Sequence, residues 1–208
     1  VWIRLLSPIT PHLAEEVGDG LFPDLVATQP FPTTEELHFS TSDVEAELFV
    51  QRLEEDLQNV LRPAQARGER PEAVTFFVAA SWKAVIEQWL RAEIGTGTEV
   101  PLRALMDRAK VHPELAAFLP EIPKYVQRVT SQVRAEGPRT PAAFDELGVL
   151  KSVEGYFARR FRVENVTVYP ESAAEPHDPH HRRERARPGR PAFFVIHRPS
   201  DAPKAGPR

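Results

Sequence analysis

The sequence predicts an α/β fold of the α+β kind: the end of an all-α helical bundle, then a compact domain of about three strands packed with several helices. Three observations carry this. Apolar residues recur at three- and four-residue spacing through several long segments, the signature of amphipathic helices. Three short β-branched and aromatic runs, at 74–80, 164–169 and 192–197, are too brief for helices and have strand composition. A stretch at 22–42 with Pro23, Pro30 and Pro32 among Thr, Ser and Asp holds no lasting periodicity and separates the opening helical segments from the rest of the chain. The expected organisation is a helical part and linker over residues 1–42, an α/β domain over 43–197, and a Pro- and Gly-rich disordered tail over 198–208.

In order along the chain, Trp2, Leu5 and Leu6 share a helical face that ends before Ser7-Pro8. Thr10 is placed as the N-cap of a second helix with Pro11 in its first turn, stopped by Gly18-Asp19-Gly20. Phe31 and Phe39 are expected to tack the linker to a neighbouring surface. Ser42 or Asp43 caps a third helix whose stripe runs Val44, Leu48, Phe49, Leu53, Leu57, Val60, Leu61 and ends before Pro63. Its opposite face carries Glu54, Glu55 and Asp56. The apolar run at 74–80 reads as a central strand, and Ser81 caps a helix beginning Trp82-Lys83. Short helices are expected at 100–111 and 113–119, longer ones at 120–137 and 141–161. Strands two and three read as a hairpin with a long loop.

Bulk properties exclude several classes. At 41% hydrophobic and 27% charged residues the chain has the composition of a soluble globular protein. No apolar run approaches the roughly 18 residues that span a bilayer, and no signal peptide opens the chain, so no membrane partner is expected. The absence of Cys excludes disulfides and thiolate metal sites and fits a reducing, cytoplasmic setting. Val1 in first place and Met106 as the only Met point to a fragment of a longer chain. Charge is unevenly distributed: residues 1–60 hold two Arg against twelve Asp and Glu, a charge of −10, while the rest holds 24 basic and 18 acidic residues, or +6. The basic part is where a polyanion would bind.

That charge is most concentrated in P-H-D-P-H-H-R-R-E-R-A-R-P-G-R-P-A-F-F-V-I, residues 176–196. Arg182, Arg183, Arg185, Arg187 and Arg190 stand there against Asp178 and Glu184, a local +3. Arg on phosphates gives salt-dependent grip without sequence preference, and Tyr169 nearby offers a ring on which an unpaired base stacks. A solvated hairpin tip has the same composition. Lys83 is either solvated or a further phosphate contact, while Trp82 beside it reads as core. His177, His180, His181 and Asp178 have irregular spacing among five Arg, and a polar loop accounts for them better than a metal site. No nucleophile–base or metal constellation marks a catalytic centre. The Gly95-Thr96-Gly97 run follows a helix and is too short for a phosphate loop.

Three pieces, taken in order, match a family. R-L-L-S-P-I-T-P-H-L-A-E-E (residues 4–16) resembles the helical anticodon-binding domain of class I leucyl-, isoleucyl- and valyl-tRNA synthetases. V-T-F-F-V-A-A-S-W-K (74–83) and the closing segment from Asp178-Pro179 through R-A-R-P-G-R-P-A-F-F-V (to 195) resemble the C-terminal domain of archaeal and eukaryotic-type leucyl-tRNA synthetases, with I-P-K-Y-V-Q-R-V (122–129) fitting between them. The resemblance implies a C-terminal region that contacts tRNA, leucine tRNA with its long variable arm; from the charge pattern, Arg182, Arg183, Arg185, Arg187, Arg190 and Lys83 are the residues expected to hold it. It also implies upstream catalytic and editing domains on the same chain, with ATP and Mg used there. HIGH- and KMSKS-type motifs are missing here, so this region is expected to be non-catalytic and without cofactor. The competing readings are a protein-interaction module docking on a partner through the acidic helix, and the C-terminal region of an isoleucyl or valyl enzyme.

Overall fold

Two helices open the chain because Pro8 breaks what would otherwise continue: α1 (Trp2–Leu6) and α2 (Pro11–Gly18). The computed structural model describes residues 1–37, 40–95, 102–138, 143–174, 178–179 and 181–198, and the chain divides into two compact units, Val1–Val44 and Glu45–Arg208. In the first unit Thr10 occupies the N-cap of α2, but its hydroxyl turns back to the Leu6 carbonyl at 3.4 Å and caps nothing. The linker is held by charge rather than by rings. Glu15 accepts the N–H groups of Val26 (2.8 Å) and Ala27 (2.9 Å) at a 3-10 turn, Val26–Thr28, and Arg4 bonds the Pro30 carbonyl and the Glu36 carboxylate. Phe31, expected to anchor the linker, is 63% exposed, and Phe39 lies outside the described residues.

Gly18 is where α2 meets that turn. A Cβ there would collide with the Val26 side chain, so the close approach requires Gly. Gly18→Ala should destabilise the first unit by about 1–3 kcal/mol through overpacking. The effect is read as faster hydrogen exchange at Val26 and Ala27, and Gly18→Ala/Val26→Ala should largely restore protection.

Helix α3 (Thr41–Ala66) starts before either cap expected from sequence, one residue ahead of Ser42 and two ahead of Asp43. Ser40 and Asp43 bond each other's backbone N–H at 3.1 Å, a reciprocal cap. The helix also runs through Pro63, because Leu61 and Ala64 on either side of it are both buried on the same face, which outweighs the lost backbone bond. Next come β1 (Arg70–Val78), α4 (Ser81–Gly95), α5 (Leu102–Lys110), a 3-10 turn (Pro113–Phe118), α6 (Ile122–Glu136), α7 (Glu146–Phe161), β2 (Asn165–Pro170) and β3 (Ala192–Arg198). Helix α7 begins later than expected, at an Asp145 cap that accepts the Gly148 N–H at 3.0 Å; residues 139–142 lie outside the described residues.

Sheet order is β2-β1-β3, with β1 parallel to β2 and antiparallel to β3. The hairpin expected between the last two strands does not form. The parallel β1–β2 pair needs a long crossover, which α4 to α7 provide, and the antiparallel place left on β1 goes to β3. Alternation along β1 sorts its side chains. Val74, Phe76 and Val78 pack with Phe49, Leu53, Leu57 and Leu61 of α3 and Leu150 and Phe157 of α7. On the other face Phe77 lies between Tyr169 and Phe194, at 6.4 and 6.1 Å between ring centres. A second core joins α4, α5, α6 and the 3-10 turn through Trp82, Ile86, Leu90, Leu105, Leu115, Ile122 and Val129.

This topology places the cationic segment. Residue 170 ends β2 beside Val78, and Ala192 begins β3 beside Phe77. The connection between them therefore crosses the end of the sheet where β1 and β2 finish, next to the first turn of α4.

Candidate nucleic-acid interface

The segment is built from its backbone outward. Asp178 accepts the N–H groups of Arg182 (2.8 Å) and Arg183 (2.9 Å) and so starts a 3-10 turn, Arg183–Arg185. Partial burial raises the Asp178 pKa, but those two bonds and the nearby Arg183 outweigh it and hold the carboxyl below its ordinary value. Further on, Arg187 and Arg190 exchange backbone bonds of 3.0 and 2.9 Å around Pro188-Gly189. Gly189 takes a φ of +71° that the turn requires, and its N–H donates to Glu146 at 2.7 Å.

Two of the six basic residues expected to face RNA point inward instead. Lys83, on the first turn of α4, is only 2% exposed. Its ammonium donates to Glu171 (2.6 Å) and to the carbonyls of Glu184 (3.0 Å) and Ala186 (2.9 Å), which uses its three N–H groups. Burial lowers its pKa, partly offset by Glu171. Arg187 is also buried: it forks onto Glu87 at 2.8 and 3.0 Å and reaches Gln132 at 2.8 Å and Glu136 at 3.1 Å. Tyr125 bonds the same Glu87 at 2.6 Å, and burial followed by the Glu87 charge pushes its phenol pKa up. The buried Glu87 carboxylate, the partly covered Glu171 and Glu136, and two carbonyls recruit these cations because an unpaired charge there would be far costlier. The expected solvated or phosphate-facing position of Lys83, and the expected phosphate contact of Arg187, are corrected accordingly.

The other arginines divide. Arg183 is half-buried, within 3.4 Å of the Ala173 carbonyl. Arg182 and Arg185 are exposed, and the Arg190 side chain is 63% exposed with Glu136 at 3.4 Å. These three line one groove of about 400 Å³ that follows strand β3 through Pro191, Ala192, Phe193, Phe194, Val195 and His197, with Val60 of α3. β3 is an edge strand. The arrangement offers three forked cations around a concave, partly apolar floor, a geometry suited to an anionic chain with planar groups attached. Tyr169 is partly exposed beside Phe77 on the same sheet.

Sequence reasoning missed the residues that fasten this segment: Glu87, Glu136, Glu146, Glu171 and Arg128, whose guanidinium bonds the Glu184 carbonyl at 2.7 Å. One signal was available. Lys83, Glu87 and Arg91 recur every four residues on α4 and all three are buried, a charged stripe next to Trp82, Ile86 and Leu90. Among the described residues no group of three His, Cys, Asp or Glu would hold a metal ion, and His177 and His180 lie outside them. No helix among them is long and apolar enough to cross a membrane.

No protein-family model matches the chain. Curated proteins do. A leucine–tRNA ligase of Methanothrix thermoacetophila is 29% identical over 195 residues, 94% of this chain and 20% of the relative. The chain is thus similar to archaeal leucine–tRNA ligases. The leucine–tRNA ligase of Methanosarcina mazei is 29% identical over 203 residues, 93% of this chain, and that of Pyrococcus furiosus 24% over 196, or 94%. The chain spans about a fifth of the length of these leucine–tRNA ligases, and the similarity takes in both compact units.

Proposed function

We propose that the chain is the C-terminal, tRNA-binding part of a leucine–tRNA ligase, and that Arg182, Arg185 and Arg190 hold the RNA backbone along the β3 groove. The observation that supports this most is their joint exposure around one groove, on a segment whose Arg187 is buried and paired and whose Arg183 is half-buried. The partner is leucine tRNA, bound through its long variable arm. Phosphate contacts position the arm, and identity comes from shape and from unstacked bases, for which Tyr169 and the apolar groove floor are the candidates. Activation of leucine with ATP and Mg, and editing, belong to upstream domains of the same cytoplasmic polypeptide, and this part is non-catalytic. The first unit supports the existence of such a neighbour: Trp2 is 66% and Ile9 77% exposed, with Leu13, Val17 and Leu21 exposed as well.

The test is competition between leucine tRNA and a short-arm tRNA for the chain, followed by titration across salt. Leucine tRNA should win at moderate salt. Replacing Arg182, Arg185 and Arg190 together by Gln should lower the slope of log affinity against log salt by about 2.7, since each phosphate contact contributes roughly 0.9. Equal competition would sink the tRNA identity, and an unchanged slope would sink the choice of residues.

A further inference from the structure

We infer that Lys83 is a positioning residue for RNA binding: without touching RNA, it ties down the backbone on both sides of Arg185 and so aims the displayed arginines at one groove. The inference rests on the RNA-binding reading above. Its basis is which acceptors Lys83 uses. Two of the three are the carbonyls of Glu184 and Ala186, the residues immediately before and after Arg185. With both carbonyls turned inward to one ammonium, the Arg185 side chain between them is left on the outer side, where it is exposed.

The third acceptor connects this clasp to the sheet. Glu171 donates its N–H to the Val78 carbonyl at 2.8 Å and accepts the Ala80 N–H at 3.0 Å through its second carboxylate oxygen. Lys83 therefore joins the cationic turn to the residue following β2, and through Glu171 to the end of β1. Ala186 is fully buried beside it, which leaves the turn no slack on that side. Arg182 and Arg190 flank the tied stretch, so its placement sets theirs as well. Fixing the cations in advance lowers the ordering cost of binding a polyanion.

The experiment compares salt slopes, because they distinguish a contact from a clasp. In the chain, Arg185→Gln should lower the slope by roughly 0.9, as for one phosphate. Lys83→Met should lower it by about 2 or more, since several arginines lose their common aim, and should weaken leucine tRNA binding at least tenfold. The core variant Val129→Ala serves as the control for general destabilisation and should leave the slope unchanged. Because Lys83→Met strands a carboxylate, Lys83→Met/Glu171→Leu is the second variant: it removes both charges, and the carbonyl ties are lost together with the Glu171 bond to the Ala80 N–H. In it, hydrogen exchange should accelerate at 182–190 and stay slow in β1. A fall of about 0.9 for the Lys83 variants would make Lys83 an ordinary phosphate contact, and no fall in a folded variant would leave it structural only. Either result overturns the inference. If the unaltered chain binds no RNA, the functional reading and the RNA role of Lys83 fall together, whereas exchange at 182–190 still reports whether the clasp exists.

Discussion

Replacing Arg187 with Met is expected to destabilise the α/β unit by about 3 kcal/mol, the lower end of the range for breaking a buried ion pair from one side. The guanidinium meets Glu87 through two parallel bonds and also bonds Gln132 and Glu136, so its loss leaves the buried Glu87 short of its main counter-charge and takes one partner from the more exposed Glu136. The cost sits at the low end because Arg91 remains, 2.5 Å from Glu136 and 3.6 Å from Glu87. Arg187→Lys should recover only part of it, because an ammonium cannot fork onto a carboxylate. Arg185→Met, on the exposed side of the same segment, should change stability by no more than about 0.5 kcal/mol. Urea unfolding of the three variants is the measurement. Equal stability of the Arg187 and Arg185 variants would remove the distinction between anchoring and displayed arginines.

Stability should also fall as pH rises from about 4.5 to about 7, and Glu146 should be the reason. Burial pushes its carboxyl from an ordinary 4.5 up to about 7, with the Glu87 charge adding to the rise, while the Gly189 N–H and Arg52 pull the other way. One carboxyl oxygen takes the Gly189 bond, and the other is buried without a partner. Between these two pH values the folded group keeps a proton that the unfolded one has lost. The native state therefore loses about 3 kcal/mol across the window and nothing further above it. Asp178 and Glu136 act in the opposite sense. Both are held below their ordinary values, Glu136 because bonds from Arg91 and Arg187 overcome its desolvation, so their contribution is lost only as pH falls through those lowered values. Comparing the chain with Glu146→Gln separates the effects: the variant should lack the decline between pH 4.5 and 7. A stability difference between the two that is the same at pH 5 and pH 8 would exclude Glu146 as its source.

How much of this was legible in the sequence depends on the distance over which each feature is decided. The apolar run of β1 and the Phe49, Leu53, Leu57 and Leu61 part of the α3 stripe are set by neighbours within a few residues and stand where the pattern puts them, whereas Val44, Leu48 and Val60 of that stripe are exposed. The passage of α3 through Pro63 is not set locally, because it depends on the burial of Leu61 and Ala64, Leu61 in a core built partly by α7. Strand order is decided still further away: nothing local says that β3 takes the free side of β1 instead of pairing with β2. The site shows the same division. A run of arginines is visible at once, but which of them face solvent depends on carboxylates elsewhere, with Arg187 paired to Glu87 100 residues earlier and Lys83 to Glu171 88 residues later. The charged stripe of Lys83, Glu87 and Arg91 is the local trace of that long-range network.

The position of β3 has a kinetic consequence. The central strand β1 bonds to β3 along nearly its whole length, from Arg70 with Arg198 to Phe77 with Ala192. Strands that meet across more than a hundred residues close a large loop, and such contacts form slowly. During synthesis β1 emerges early and must wait with one edge open until the last strand arrives. The groove beside β3 cannot exist before then. Refolding should therefore show helix formation first and RNA-binding competence only in the slowest phase, when the sheet closes.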